Sequence, residues 1–198
     1  MAEVFNVLLV GVGGQGIVLS SDLLAEAAAR TGLDVKKSEI HGMSRRGGPV
    51  FSHVRFGTEV HSAVIPNGAV DVILAMEPME LLRWASWAHP GAAACYLDAP
   101  ILPVGVDGYP EGLDDELARL FGRLVRIRLA EIRRSVPLKV RNTALLGAAS
   151  VFLPLAEDSF AAAIAALAPR GSAQANQEAF DIGRERAQAQ VKEPMDVE

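Results

Sequence analysis

The chain has 198 residues, half of them hydrophobic, with a mean hydropathy of +0.22 and a formal net charge of −5. That length suits one α/β domain with a sizeable core, and the negative balance argues against nucleic acid as the main partner. A single cysteine, Cys95, excludes an intramolecular disulfide and an iron–sulfur cluster ligated by this chain's cysteines alone.

The opening apolar run, residues 5–10, predicts a strand buried on both faces of a parallel sheet. Gly11-Val12-Gly13-Gly14-Gln15-Gly16 follows. Residues 17–30 then place Leu19, Leu23, Leu24 and Ala27 on one helical face, with Gly32 as the stop. Residues 34–40 predict a second strand, so the chain opens β-α-β. Residues 50–56 partly alternate and turn at Gly57-Thr58-Glu59 into 60–65, which predicts a hairpin near residues 50–65. Residues 70–76 form another buried run, closed by Glu77-Pro78, and proline in a first turn predicts a helix onward to Trp87.

Residues 92–97 predict a strand that ends at Asp98 and Pro100, and apolar neighbours make Cys95 a buried small residue rather than a nucleophile. Glycines 105, 108 and 112 mark a loop before a short helix at 114–122 and a strand at 124–129. Helices are expected at 142–153, 159–167 and 172–189, with Asn142 as an N-cap. The fold class is therefore α/β: a Rossmann-like, mostly parallel sheet flanked by helices, in a single domain over 1–190. A mobile polar tail is expected at 191–198. The longest apolar stretch, 144–156, contains Pro154 and is too short to span a bilayer. With an early Glu3 and no basic n-region, the reading is a cytoplasmic protein without a signal peptide or membrane partner.

Gly11, Gly13 and Gly16 have dinucleotide-site spacing: a tight turn, close approach of backbone to phosphate, and close helix–strand packing. Glu39 is then the candidate ribose-binding acid of a nicotinamide site; the plainer alternative is a βα turn that only packs. Gly14 and Gln15 complete the turn, and the Gln15 amide is expected at its mouth, donating to an anion or to a partner backbone. A second segment, His41-Gly42-Met43-Ser44-Arg45-Arg46-Gly47-Gly48, concentrates polar chemistry that core packing does not require. Arg45 and Arg46 suit bidentate contacts to phosphate or carboxylate, beside Ser44, with Gly47 and Gly48 letting the backbone bend close. His41 is either a group titrating near neutrality or a loop anchor.

Seven basic residues between Arg123 and Arg141 form either a solvated face or a patch for an acidic partner. Val106-Asp107-Gly108 is only a fragment of a thiamine diphosphate motif. The chain also lacks a Walker lysine, a His-Glu-x-x-His pair and a Gly-x-Ser-x-Gly elbow. Glu77 and Asp98 lie at strand ends, but no catalytic set and no metal site assembles.

Together, Gly-x-Gly-Gly-Gln-Gly, His-Gly-Met-Ser-x-Arg-Gly-Gly and Ser52-His53-Val54-Arg55 resemble the gamma domain of 2-oxoacid:ferredoxin oxidoreductases. The His-Gly-Met-Ser form is most similar to the indolepyruvate branch. The resemblance runs from about residue 4 to 186 and includes Asn176-x-x-Ala179-Phe180-x-x-Gly183. It implies that thiamine diphosphate, Mg²⁺ and iron–sulfur clusters sit on a large alpha subunit in an α₂β₂ assembly. That assembly would convert an aryl pyruvate and coenzyme A to an acyl-CoA, CO₂ and reduced ferredoxin. This chain would then dock on the catalytic subunit and hold coenzyme A phosphates with its glycine turn and Arg45 or Arg46. Arg45-Arg46 stands where many relatives have one neutral residue, and Pro49 stiffens the loop exit. A stand-alone NAD(P)-binding oxidoreductase and a purely structural subunit are the other two readings.

Overall fold

A computed structural model describes residues 4–42, 48–102, 105 and 108–192. Six strands form one mixed sheet in the order β2-β3-β1-β4-β5-β6: β1 (Val4–Val12), β2 (Asp34–His41), β3 (Pro49–Gly57), β4 (Val70–Ala75), β5 (Ala88–Asp98) and β6 (Arg123–Arg128). β1, β4, β5 and β6 pair in parallel, while β3 runs antiparallel to both β1 and β2. β3 is thus the one reversed strand. Along β1, Val7 and Leu9 enter one core and Leu8 and Val10 the other. Burial on both faces explains its unbroken apolar run.

On the first face lie α1 (Ile17–Arg30), α5 (Arg141–Ala149), α6 (Glu157–Leu167) and α7 (Ala173–Lys192); on the second lie α2 (Pro78–Trp84) and α3 (Leu113–Leu120). A single turn, α4 (Leu129–Ile132), follows β6 and takes up Leu129, the last residue of the strand expected at 124–129. α7 reaches Lys192, so Val191 and Lys192 are helical rather than tail; residues 193–198 lie outside the described residues. Cys95 is fully buried and burial pushes its thiol up, as expected of a packing residue.

The hairpin expected near 50–65 is not formed: β3 pairs with β2 and β1, and residues 58–69 hold no strand. Side chains take the hydrogen bonds that a ladder would supply. Asp34 Oδ2 accepts from Val60 N at 2.8 Å, and Arg55 donates to the carbonyls of Ser62 and Val64 at 2.9 and 3.2 Å. The buried His53 ring accepts from Ile65 N through Nδ1 at 3.2 Å.

Burial, then the nearby Arg55 cation, lower the His53 pKa below its ordinary 6.5. A folded state that disfavours imidazolium is least affected above 6.5, and its stability falls as pH drops from there toward the depressed value. Urea unfolding from pH 7.5 to 5.5 should show that fall, and His53→Asn should reduce its slope. An equal slope in the variant contradicts the role given to His53.

Candidate functional site at the sheet switch point

β1 and β4 are parallel neighbours, yet β1 feeds α1 on one face and β4 feeds α2 on the other. Connections that part in this way mark the topological switch point of an open α/β sheet, and the crevice found beside it lies on the α1 side, lined by residues of β1, α1, β2 and β3. The first glycine turn lies there. A Cβ on Gly11 would come within 2.7 Å of Gln15 Oε1 and 2.9 Å of Met76 Cβ, so only glycine lets the turn close against β4.

Gln15 does not reach outward as expected. Its Oε1 accepts from Val12 N at 2.7 Å and its Nε2 donates to the Met76 carbonyl at 3.0 Å, which ties the ends of β1 and β4 together. The amide closes the turn instead of presenting itself to an anion. Asn142, expected as an N-cap, is likewise a buried clamp. Its Nδ2 donates to Gly16 O at 3.3 Å and to Ser20 Oγ at 3.2 Å, while Val140 occupies the N-cap position of α5. Nothing in the local sequence around Asn142 or Met76 marks them as parts of the turn, because both arrive through long-range packing.

The two glycine-rich segments meet. Gly13 N donates to Gly48 O at 2.9 Å, and Gly42 N donates to Pro49 O at 2.9 Å. Between them and α1 lies a crevice of about 810 Å³ lined by Gly13, Gly14, Gly16, Val18, His41 and Val50 among others. Gly16 caps α1 without a side-chain acceptor, and the first turn of α1 holds no acid. Among the described residues no side chain takes its leading N–H groups, and the positive end of the helix dipole lies behind them. Gly14, at φ +99°, has no described residue within 4 Å of where a Cβ would stand. Ser44, Arg45, Arg46 and Gly47 lie outside the described residues.

Glu39 is not where a ribose-binding acid would have to be. β3 separates β2 from β1, which sets Glu39 two strand spacings, about 10 Å, from the glycine-turn strand. Its carboxylate pairs instead with Lys37, and His41 Nε2 stands 3.6 Å away. Glu77 and Asp98 are also engaged. Glu77 caps α2 by accepting from Glu80 N at 2.9 Å and accepts from the Tyr109 hydroxyl. Burial and then Glu77 push the Tyr109 phenol up, keeping it a donor.

Asp98 binds Arg126 at 2.9 Å, and Asp114 holds the same guanidinium at 2.5 Å. Arg128 pairs with Glu131, and Arg123 lies 4.7 Å over the Phe152 ring. Three members of the basic run, Arg123, Arg126 and Arg128, are therefore engaged by local partners. Among the described residues no group of three His, Cys, Asp or Glu could hold a metal ion, and no helix is long and apolar enough to cross a membrane.

The pyruvate ferredoxin/flavodoxin oxidoreductase family model matches residues 6–186. The chain belongs to that family. Within this oxidoreductase family it is 34% identical over 191 residues to indolepyruvate oxidoreductase subunit IorB of Thermococcus kodakarensis, covering 90% of this chain and 94% of that one. Its fold matches the gamma subunit of a keto/oxoacid ferredoxin oxidoreductase from Geobacter sulfurreducens (TM-score 0.69, 22% identity, 95% and 98% of the two chains). It also matches 31% of a larger polypeptide, the 2-oxoglutarate:ferredoxin oxidoreductase of Magnetococcus marinus with 2-oxoglutarate, coenzyme A and succinyl-CoA bound (TM-score 0.71, 24% identity, 94% of this chain). This family member has a mixed six-stranded sheet and matches the gamma subunit's fold over nearly the whole of both chains.

Proposed function

We propose that the chain is the accessory subunit of a thiamine-dependent aryl-pyruvate oxidoreductase, with indolepyruvate as substrate and ferredoxin as electron acceptor. A large alpha subunit carries thiamine diphosphate, Mg²⁺ and the iron–sulfur clusters in an α₂β₂ complex, and the reaction yields an acyl-CoA, CO₂ and reduced ferredoxin. Similarity to indolepyruvate oxidoreductase subunits over nine-tenths of the chain supports the substrate class.

This chain's part is to dock on the large subunit and hold the phosphates of coenzyme A. The observation that carries this role is the Gly13–Gly48 contact, which brings both glycine-rich segments to the rim of one crevice. The open space beside Gly14 and the uncapped first turn of α1 fit a phosphate. The chain on either side of Arg45 and Arg46 ends on that same rim, at Gly42 and Gly48, where a guanidinium would add a charge-assisted, bidentate contact.

In the assembled enzyme, Arg46→Ala should raise the apparent KM for coenzyme A by about ten- to a hundredfold, the loss of one charge-assisted contact. Arg45→Ala should act in the same direction more weakly. Unchanged KM values in both variants would leave the glycine segments as an interface only.

A further inference from the structure

The two edges of the sheet are finished differently. At β6, the Gln190 carboxamide stands in for a neighbouring strand: Oε1 accepts from Arg126 N at 3.0 Å and Nε2 donates to Arg126 O at 2.9 Å. At β2, the outer edge has no strand neighbour among the described residues. β2 pairs with β3 without a break over eight residues, from Asp34 to His41, and contains neither a proline nor a bulge. Edges left free in solution are blunted by such devices, by a covering element or by charged side chains. Here the charges are matched: Lys36 pairs with Asp34 at 2.5 Å, and Lys37 pairs with Glu39 and Asp22.

The strand is also complementary to itself. A two-fold axis normal to a sheet keeps each face on its own side, so opposed residues must have numbers that sum to an even total. Centring the axis on Lys37 or on Glu39 opposes like charges. Centring it on Ser38 puts Lys37 opposite Glu39 of the second copy, and Glu39 opposite its Lys37. Lys36 then faces Ile40, and Val35 faces His41. Opposed unlike charges favour that register and like charges disfavour the others. Ile40, 41% exposed, would be covered by the Lys36 stem. Beside the edge, on the α1 face, runs a groove of about 440 Å³ lined by Leu19, Ala25, Ala29, Val35 and Leu167 among others.

We propose that β2 pairs antiparallel with β2 of a second copy of this chain about an axis at Ser38, joining two six-stranded sheets into one. This interface meets the glycine crevice at His41 and does not rest on the function proposed above.

Light scattering on the full chain, followed by mild oxidation of Ser38→Cys and Lys36→Cys variants, tests it. Opposed Ser38 residues would have Cα atoms about 4.5–5.5 Å apart, within disulfide reach. Two Lys36 residues would be about 13 Å apart, beyond it. Cys95 is buried and does not compete. The expected result is a two-chain mass for the unmodified protein and covalent dimer from Ser38→Cys at least about tenfold faster than from Lys36→Cys. A single-chain mass without capture, or equal capture from both positions, would overturn the proposal.

Discussion

Gly183→Ala should cost the fold about 3 kcal/mol or more, a fall in melting temperature of roughly 6–12 °C. The reason is backbone contact between two helices. A Cβ on Gly183 of α7 would stand 1.8 Å from the carbonyl oxygen of Ala144 in α5, and one on Gly147 of α5 would stand 2.0 Å from that of Phe180. Neither oxygen can rotate away, so the helices must separate. Separation loosens the buried Thr143 Oγ1 hydrogen bond to Asn176 Oδ1, now 2.6 Å, and the Phe160–Phe180 contact at 5.1 Å. Gly147→Ala should behave alike. Gly122→Ala, with nothing within 4 Å, should stay within about 0.5 kcal/mol of the parent. Thermal and urea unfolding of the three variants measure this, and a Gly183→Ala loss no greater than that of Gly122→Ala contradicts the packing described.

The second large effect is expected at Gly16. Its φ is +83°, and a Cβ there would lie 2.7 Å from Asn142 Cγ and 2.8 Å from Nδ2. Gly16→Ala therefore adds left-handed strain of about 1–2 kcal/mol to the displacement of a buried amide worth about 1–3 kcal/mol. Gly14→Ala meets only the strain, since no described residue stands within 4 Å of its Cβ position. Unfolding should rank Gly16→Ala well below Gly14→Ala in stability. In Gly16→Ala/Asn142→Ala the clash is gone and the two losses should sum to less than their parts. Additive losses would mean that Asn142 does not press on the turn. Displacing Gly16 also moves the first turn of α1, so coenzyme A affinity of the assembled enzyme should fall with it.

The elements with strong local signals were legible in the sequence. α1 runs over the residues its Ala/Leu pattern marks, and the double-sided burial of β1 is written in its continuous apolar run. The segment 60–65 misled because its apolar residues Val60 and Ile65 are buried singly, their N–H groups donating to Asp34 and His53 while Arg55 donates to the carbonyls of Ser62 and Val64, rather than paired in a ladder. Gly-x-Gly-x-x-Gly identified the turn but not its wiring. Gln15 faces Met76 and Asn142 faces Gly16 across 61 and 126 residues, separations that no local pattern encodes.

Glu39 failed as a ribose acid for a topological reason: β3, later in the chain, inserts between β2 and β1. The close approach of α5 and α7 did leave a trace, since Ala179, Gly183 and Ala187 recur at four-residue spacing on one buried helix face. That stripe reads as a small-residue helix contact only once a partner carrying Gly147 is known.

The most direct measurement is co-expression of this chain with its large subunit, co-purification, and assay of dye reduction that depends on both indolepyruvate and coenzyme A. The expected result is a stable complex that is active only when both chains are present. Failure to form a complex, together with binding of a nicotinamide cofactor by this chain alone, would contradict it.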